Sequence, residues 1–219
     1  MRRLLFEKTG NAVWISHLDL MRLFQRAFKR AGLYLTHTQG YNPRPSVSIA
    51  LPMSVGVESV CELLDFELDK ETADIREIPA LINSCFVPGV RVLDVYEGGR
   101  KVRDLALMQV QVTMTYDCGV PSGAADAIRD LFCRESLTVA KSSKKGVTEQ
   151  DIVPMIRKFT VQPQDDKHII LDAVICCQNP TLNPMQLVAA IDTYLPELKP
   201  DDSLCRRMEI FDNNQSVFR

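Results

Sequence analysis

The same succession of apolar periods runs through this chain twice, and few folds accept it. Arg2 to Lys8 is short and apolar-rich, as a strand is. Ser16 then precedes a helical pattern over about His17–Ala31. Asp19 lies three residues after that cap, Ile15 and Leu20 take the positions of a hydrophobic staple, and Gly32 is the stop. Leu20, Phe24, Ala27 and Ala31 line one helix face, joined by Met21, Leu23 and Phe28. Ser46–Leu51 and Val60–Leu68 read as strands, the second with Val60, Leu64, Phe66 and Leu68 on one face. Thr72–Phe86 reads as a helix with Thr72 as cap and Pro79 as a distortion, and Val90–Tyr96 as a strand. The order is β-α-β-β-α-β.

Glu97-Gly98-Gly99-Arg100-Lys101 is the linker candidate, and a second round follows it. Met108, Val110, Val112, Met114 and Tyr116 alternate with Gln109, Gln111, Thr113 and Thr115, the signature of a half-buried strand. Ser122–Cys133 is helical and Leu137–Ala140 is a short strand. A polar stretch, Lys141–Gln150, and a helical turn around Asp151–Arg157 come next. Phe159–Gln162 and Ile169–Cys177 are strands, Asn183–Tyr194 is a helix with Pro184 in its first turn, and Arg206–Phe211 is the last strand. The expected fold is α+β: two ferredoxin-like βαββαβ units in tandem, residues 1–99 and 103–219. No residue-level identity links the halves, so the repeat is architectural. A length of 219 residues allows one domain or two small ones.

Charge divides unevenly along this frame. The net charge of −2 argues against a nucleic-acid ligand only as an average. Residues 1–50 carry eight Lys/Arg against two acids, a net of +6, and residues 51–100 carry four against ten, a net of −6. Within the basic part, Arg22, Arg26, Lys29 and Arg30 share one helix side, and no acid occurs between residues 20 and 57 to pair with them at helical spacing. A solvated helix face is one reading; a phosphate-binding stripe is the other. The acidic stretch from 58 to 77 is an intramolecular competitor for the same cations.

The loop Gln39-Gly40-Tyr41-Asn42-Pro43-Arg44-Pro45 gathers a ring, two amides and a guanidinium on a backbone whose glycine and prolines exclude regular structure. Tyr41 suits stacking on a base; Gln39, Asn42 and Arg44 suit base edges or phosphate. Gly40 and Pro43 are structural, or the whole loop is a proline-stiffened turn. Lys144 and Lys145, in Lys141-Ser142-Ser143-Lys144-Lys145-Gly146, form a second basic loop, either solvated or phosphate-contacting, that lacks the spacing of a nucleotide-hydrolysing P-loop. Asp151 caps a short helix.

Several chemistries are excluded. Ser16, His17 and Asp19 cannot converge as a triad, because neighbours in one helical turn point apart. Ser16 and Asp19 are explained by capping, while His17 stays a candidate phosphate contact or general acid/base. The seven cysteines include no C-x-x-C and no cluster motif, and the three histidines have no ligand spacing, so neither metal nor cofactor is expected. Neither G-x-G-x-x-G nor the RNP1 signature occurs. An odd cysteine count points to a reducing cytoplasm. No apolar run reaches membrane-spanning length and the first residues do not form a signal peptide.

A resemblance gathers these motifs. Phe6-Glu7-Lys8-Thr9-Gly10, Ile15-Ser16-His17-Leu18-Asp19-Leu20-Met21-Arg22, the 39–45 loop, and Leu51-Pro52 through Gly56-Val57-Glu58-Ser59 resemble the bacterial DUF2344 family, also described as radical SAM-linked. The similarity continues through Lys144-Lys145-Gly146, Asp151-Ile152 and Leu182-Asn183-Pro184. It implies a domain fused behind, or encoded beside, a radical SAM protein, in neighbourhoods with ribosome and RNA-processing genes. It carries no assigned activity. By position it singles out Ser16, His17, Asp19, Arg22, Gln39, Gly40, Asn42, Pro43, Gly56 and Glu58, with Gly56 structural. Arg44 stands where many relatives have His, which counts against acid/base catalysis by that side chain.

Three functions fit the residues. One is an accessory module that binds structured RNA through Arg22, Arg26, Lys29, Arg30 and the 39–44 loop and works with a radical SAM protein. The second is a metal-independent RNA-processing or RNA-modifying enzyme with His17 as acid/base and Lys144 or Lys145 on the transferred phosphate. The third is a protein-interaction adaptor whose basic helix docks on an acidic surface.

Overall fold

A computed structural model describes residues 1–70, 73–143 and 146–219. The chain is α+β and divides into two compact units, Met1–Val102 with Arg219, and Arg103–Phe218. In the first, β1 (Arg2–Lys8) leads through a 3-10 turn (Gly10–Trp14) into α1 (His17–Arg30). Then come β2 (Val47–Ile49), β3 (Val57–Phe66), α2 (Ile78–Asn83) and β4 (Val90–Glu97). The strands lie in the order β4-β1-β3-β2, and every neighbouring pair is antiparallel.

The apolar stripe of α1 holds this unit together. Leu20, Phe24, Ala27 and Phe28 are buried against Leu4, Phe6, Leu64 and Phe66. Phe6–Phe24, Phe24–Phe86 and Phe28–Phe66 ring centroids lie 4.7, 4.9 and 4.8 Å apart. Ala31, half-buried, packs against the same core, as do Met21 and Leu23. The second helix differs from expectation. It is six residues long and begins at Ile78, because Pro79 suits a first turn and not a helix interior. Thr72, its expected cap, lies outside the described residues. The Asn83 side chain gives its Nδ2 to Val92 O (2.9 Å) and takes Val92 N on Oδ1 (2.8 Å), covering the outer edge of β4. Strand β3 is buried on nearly every residue, not on alternate ones, with Cys61 and Leu63 inside as well as Leu64 and Phe66.

The second unit runs β5 (Leu105–Thr115), α3 (Ala124–Phe132), β6 (Thr138–Ser143), β7 (Gly146–Asp151), β8 (Ile156–Pro163), β9 (His168–Cys176), α4 (Met185–Tyr194) and β10 (Asp202–Asp212). Its main strands lie in the order β10-β5-β9-β8, again antiparallel throughout. The described residues of the polar stretch, 141–143 and 146–150, are not a loop. They belong to a two-stranded ladder, β6 with β7, from Thr138↔Asp151 to Ser143↔Gly146. Polarity hid it, since this hairpin has no buried face along β7 to impose an apolar period. Asp151 holds its base by accepting Leu137 N (2.9 Å) and Val153 N (3.1 Å). The turn that follows, Val153–Met155, is 3-10.

Candidate functional site

The start of α1 is built by its own side chains. Ser16 Oγ accepts Asp19 N (3.2 Å) and donates to the Asp19 carboxylate (2.8 Å), and Arg22 Nη1 donates to the other carboxylate oxygen (2.9 Å). The Ser16 hydroxyl first, and the Arg22 guanidinium second, hold Asp19 below the usual carboxylate range. Capping is therefore the role of Ser16 and Asp19, and Arg22 is paired backward along the helix. Arg26, Lys29 and Arg30 are exposed and form no ion pair among the described residues.

Past Gly32 the chain doubles back on itself. Leu35 bridges Leu68, Thr36 N donates to Glu67 O (2.9 Å) and Ser46 N to Thr36 O (2.8 Å). His37 bridges Pro45, Thr38 N donates to Arg44 O (2.8 Å), and Arg44 N donates to Thr38 Oγ1 (3.1 Å). The segment expected to be irregular is thus a closed turn whose tip, Gln39 to Pro43, stands in solvent. Gly40 has φ +136°, a conformation that side chains disfavour. Tyr41 is fully exposed, and so are Asn42 and Arg44.

Two grooves flank α1. The larger, about 770 Å³, lies between Phe28 and Lys29 on the helix, Tyr34 to His37 beyond it, Gln39 at the tip, and Asp69. Thr36 lines it and carries a buried hydroxyl without a partner. The smaller, about 380 Å³, is lined by Ile15, Asp19, Arg22, Leu23, Arg26 and Val87. The expected single stripe is therefore shared out: Lys29 and Gln39 meet in one groove, Arg22 and Arg26 in the other. Arg30, Tyr41, Asn42 and Arg44 line neither.

The acidic segment does little to neutralise these cations. Glu58 and Glu62 are buried, and Glu58 Oε1 accepts Gly10 N (2.9 Å). Asp65 grips Arg3 at 2.6 and 3.0 Å, with Arg3 wholly buried. Among the described acids of this stretch, only Asp69 reaches the larger groove.

Sequence reasoning missed the segment between β1 and α1. Lys8, 1% exposed, donates Nζ to Ile15 O (3.1 Å). Thr9 N donates to Gly89 O (2.8 Å) and Gly56 N to Val13 O (3.0 Å). Gly56 sits at φ +84°; a Cβ there would meet Trp14 only at 3.7 Å, so backbone conformation and not space demands the glycine. These bonds fix a segment whose Trp14 stays 71% exposed. The signal was legible: Lys8 continues the Leu4–Phe6 alternation, a charge at a core position. The His17 side chain, half-buried, makes no hydrogen bond among the described residues. Lys144 and Lys145 lie outside the described residues.

In the second unit the titratable groups with shifted pKa serve structure. Asp165 accepts Lys167 N (2.8 Å) and meets His168 Nδ1 (2.8 Å), and these two contacts, in that order, lower its pKa. Burial pushes the Cys177 and Cys205 thiols up to about 12, leaving neither a nucleophile nor a ready metal ligand. Among the described residues no group of three His, Cys, Asp or Glu side chains converges on a point where a metal ion would fit. Among the described residues no helix is long and apolar enough to cross a membrane.

Comparison with known proteins gives a family and a fold. The model of a family described as "Uncharacterized protein conserved in bacteria (DUF2344)" matches residues 2–184. No curated protein matches. Among solved structures, a chain of the "Crystal Structure of a Cbf5-Nop10-Gar1 Complex" is similar over 95% of this chain and 48% of that one, at 9% identity and a TM-score of 0.51. This chain thus spans about half the length of that one, and at such identity the likeness is one of fold alone. The "Crystal Structure of an Unknown Protein from Galdieria sulphuraria" aligns over 94% of this chain and 96% of that one, at 10% identity and a TM-score of 0.27.

Proposed function

The chain belongs to the DUF2344 family, and from that premise and its own geometry we propose that it is a binding module for structured RNA that works with a radical SAM protein. Each unit is read as ferredoxin-like, with domains 1–99 and 103–219. The order β4-β1-β3-β2, repeated as β10-β5-β9-β8, supports this, with the β6–β7 hairpin as an insertion. All seven cysteines are free, in keeping with a cytoplasmic location.

One observation carries the RNA reading. Lys29 and Arg44 beside the 39–43 tip, and Arg30 at the end of α1, stand exposed and form no ion pairs among the described residues, while Glu58, Glu62 and Asp65 are turned inward. A chain of net charge −2 thereby keeps a local basic surface. Cations of that kind position a phosphate backbone, and Tyr41, Gln39 and Asn42 on the protruding tip are suited to unpaired bases. The enzyme reading has less support, because a catalytic His is ordinarily oriented by a second group and His17 has none among the described residues.

The test is fluorescence anisotropy with a labelled RNA hairpin at low salt. Binding that weakens steeply as salt rises is expected; absence of binding at low salt sinks the reading. Affinity capture from native lysate, with and without nuclease, tests the radical SAM partner.

A further inference from the structure

The segment Thr9–Ile15 uses two buried charges and several backbone bonds to hold a Trp in water. Lys8 and Glu58 are 1% and 6% exposed, and both are spent on this one turn, through Ile15 O and Gly10 N. Burying such groups is costly, and their hydrogen bonds offset part of that cost. Trp14, the most hydrophobic large ring available, would ordinarily cover core; here it is 71% exposed, and Leu18 just beyond is 67% exposed. A rigid, exposed ring on a well-supported backbone is how a protein pre-organises a contact surface.

We propose that Trp14 is a stacking platform for one unpaired base, so that the RNA segment held by this protein is single-stranded along α1. The inference rests on the RNA reading above and names the part of the RNA that is touched. Trp14 stands before the first residue of α1 and the 39–43 tip follows its last, so aromatic rings occur at both ends of a helix of 14 residues, about 20 Å long. Exposed Arg22, which pairs with Asp19, and exposed Arg26 and Lys29 lie between them on the helix, at axial steps of about 6 and 4.5 Å. Those charges complement phosphate. Aromatic rings combined with a basic track describe single-strand binding, and about four nucleotides would cover the helix, the low end of site sizes in such proteins. A protein partner fits less well: a Trp ring offers about 150–250 Å², and with Leu18 it falls short of the ~800 Å² a stable interface takes from each side.

Trp14 is the only tryptophan, so its fluorescence reports on this site alone. The full chain is titrated with fluorescein-labelled single-stranded hexaadenylate and, separately, with a blunt RNA duplex. Anisotropy and Trp14 emission are followed together. The proposal expects hexaadenylate to quench Trp14 with the same midpoint as the anisotropy change and the duplex to leave emission unchanged. It also expects Trp14→Leu to weaken hexaadenylate about tenfold and Trp14→Phe to restore most of the loss. Hexaadenylate binding with unchanged emission, or undiminished by Trp14→Leu, overturns the stacking role and leaves the RNA reading standing. Absence of any anisotropy change with either RNA at low salt overturns both. Recovery of a protein instead, in a complex that resists nuclease and is lost in Trp14→Leu, replaces the base with a protein ligand.

Discussion

The two units share a strand order and differ in what they do with charge. In the first, ionised groups are buried beneath the loops: Arg3 with Asp65, Lys8 with Ile15 O, Glu58 with Gly10 N. The last two hold the segment on which Trp14 stands in solvent, while Tyr41, Lys29 and Arg44 are exposed on other elements of the same unit. In the second, Arg207 on β10 is buried too, but the ion pairs that close local turns, Arg129 with Asp126 and His168 with Asp165, sit at the rim. One architecture thus carries two strategies. Behind Trp14 the first unit places buried polar bonds; the turns at Asp126 and Asp165 in the second are closed by short-range pairs. Function lives in what is grafted on the fold, not in the fold.

The comparison can be broken most readily by stability. Glu58→Ala leaves the Gly10 N–H without its carboxylate and removes a buried charge, and should cost about 3 kcal/mol. Lys158→Ala on β8, an exposed residue of the second unit, should stay within about 0.5 kcal/mol. Urea unfolding measures both, and equal effects would erase the distinction drawn between the units. Next in size is thiol labelling. Cys118 and Cys133 are exposed and should react in the native state at pH 8, whereas Cys177 and Cys205, raised to about 12 by burial, should react only on unfolding. A fast-reacting Cys177 would give the second unit a chemistry this account denies it.

A smaller effect concerns salt. Lys29→Ala and Arg44→Ala should each weaken RNA severalfold and reduce the salt dependence by about one counterion, while Lys158→Ala leaves it unchanged. Smallest is acid sensitivity. The pKa of Asp19 is lowered in the fold, so its stabilising contribution is present above the ordinary carboxylate range, near pH 4, and is lost as pH falls through the lowered value. Asp165 behaves alike in the second unit. Asp19→Asn and Asp165→Asn should each flatten the loss of stability below pH 4, and a change of slope in neither would discount both pairs.

Much of this fold was legible because local rules and burial agree. The Ser16 cap, the apolar stripe from Leu20 to Phe28 and the alternation in β5 each follow from one period in one segment. Reading failed where no period exists. Leu137–Ala140 reads as a strand and opens β6, but β7 has no buried residue to betray it, and Pro79, a distortion within a long helix by pattern, stands in the first turn of a short one. The site divides similarly. Gln39, Tyr41 and Arg44 are exposed on the tip as their residue types suggest, but the larger groove joins Lys29 to Asp69, forty residues apart, and no local pattern encodes that meeting. Lys8 was the overlooked clue, since a lysine in phase with Leu4 and Phe6 had to be buried and therefore had to be bonded.

The central claim is that the first unit's basic surface binds RNA. The most direct measurement is the affinity of a labelled RNA hairpin, by anisotropy at low salt, for the Lys29→Glu/Arg44→Glu double variant. Both positions are exposed, so the fold should persist and circular dichroism checks it. The account predicts a loss of about a hundredfold or more relative to the unaltered chain, with the matching double reversal in the second unit, Lys158→Glu/Lys167→Glu, nearly silent. Equal affinity of the first variant and the unaltered chain, or a larger loss from the second, would contradict it.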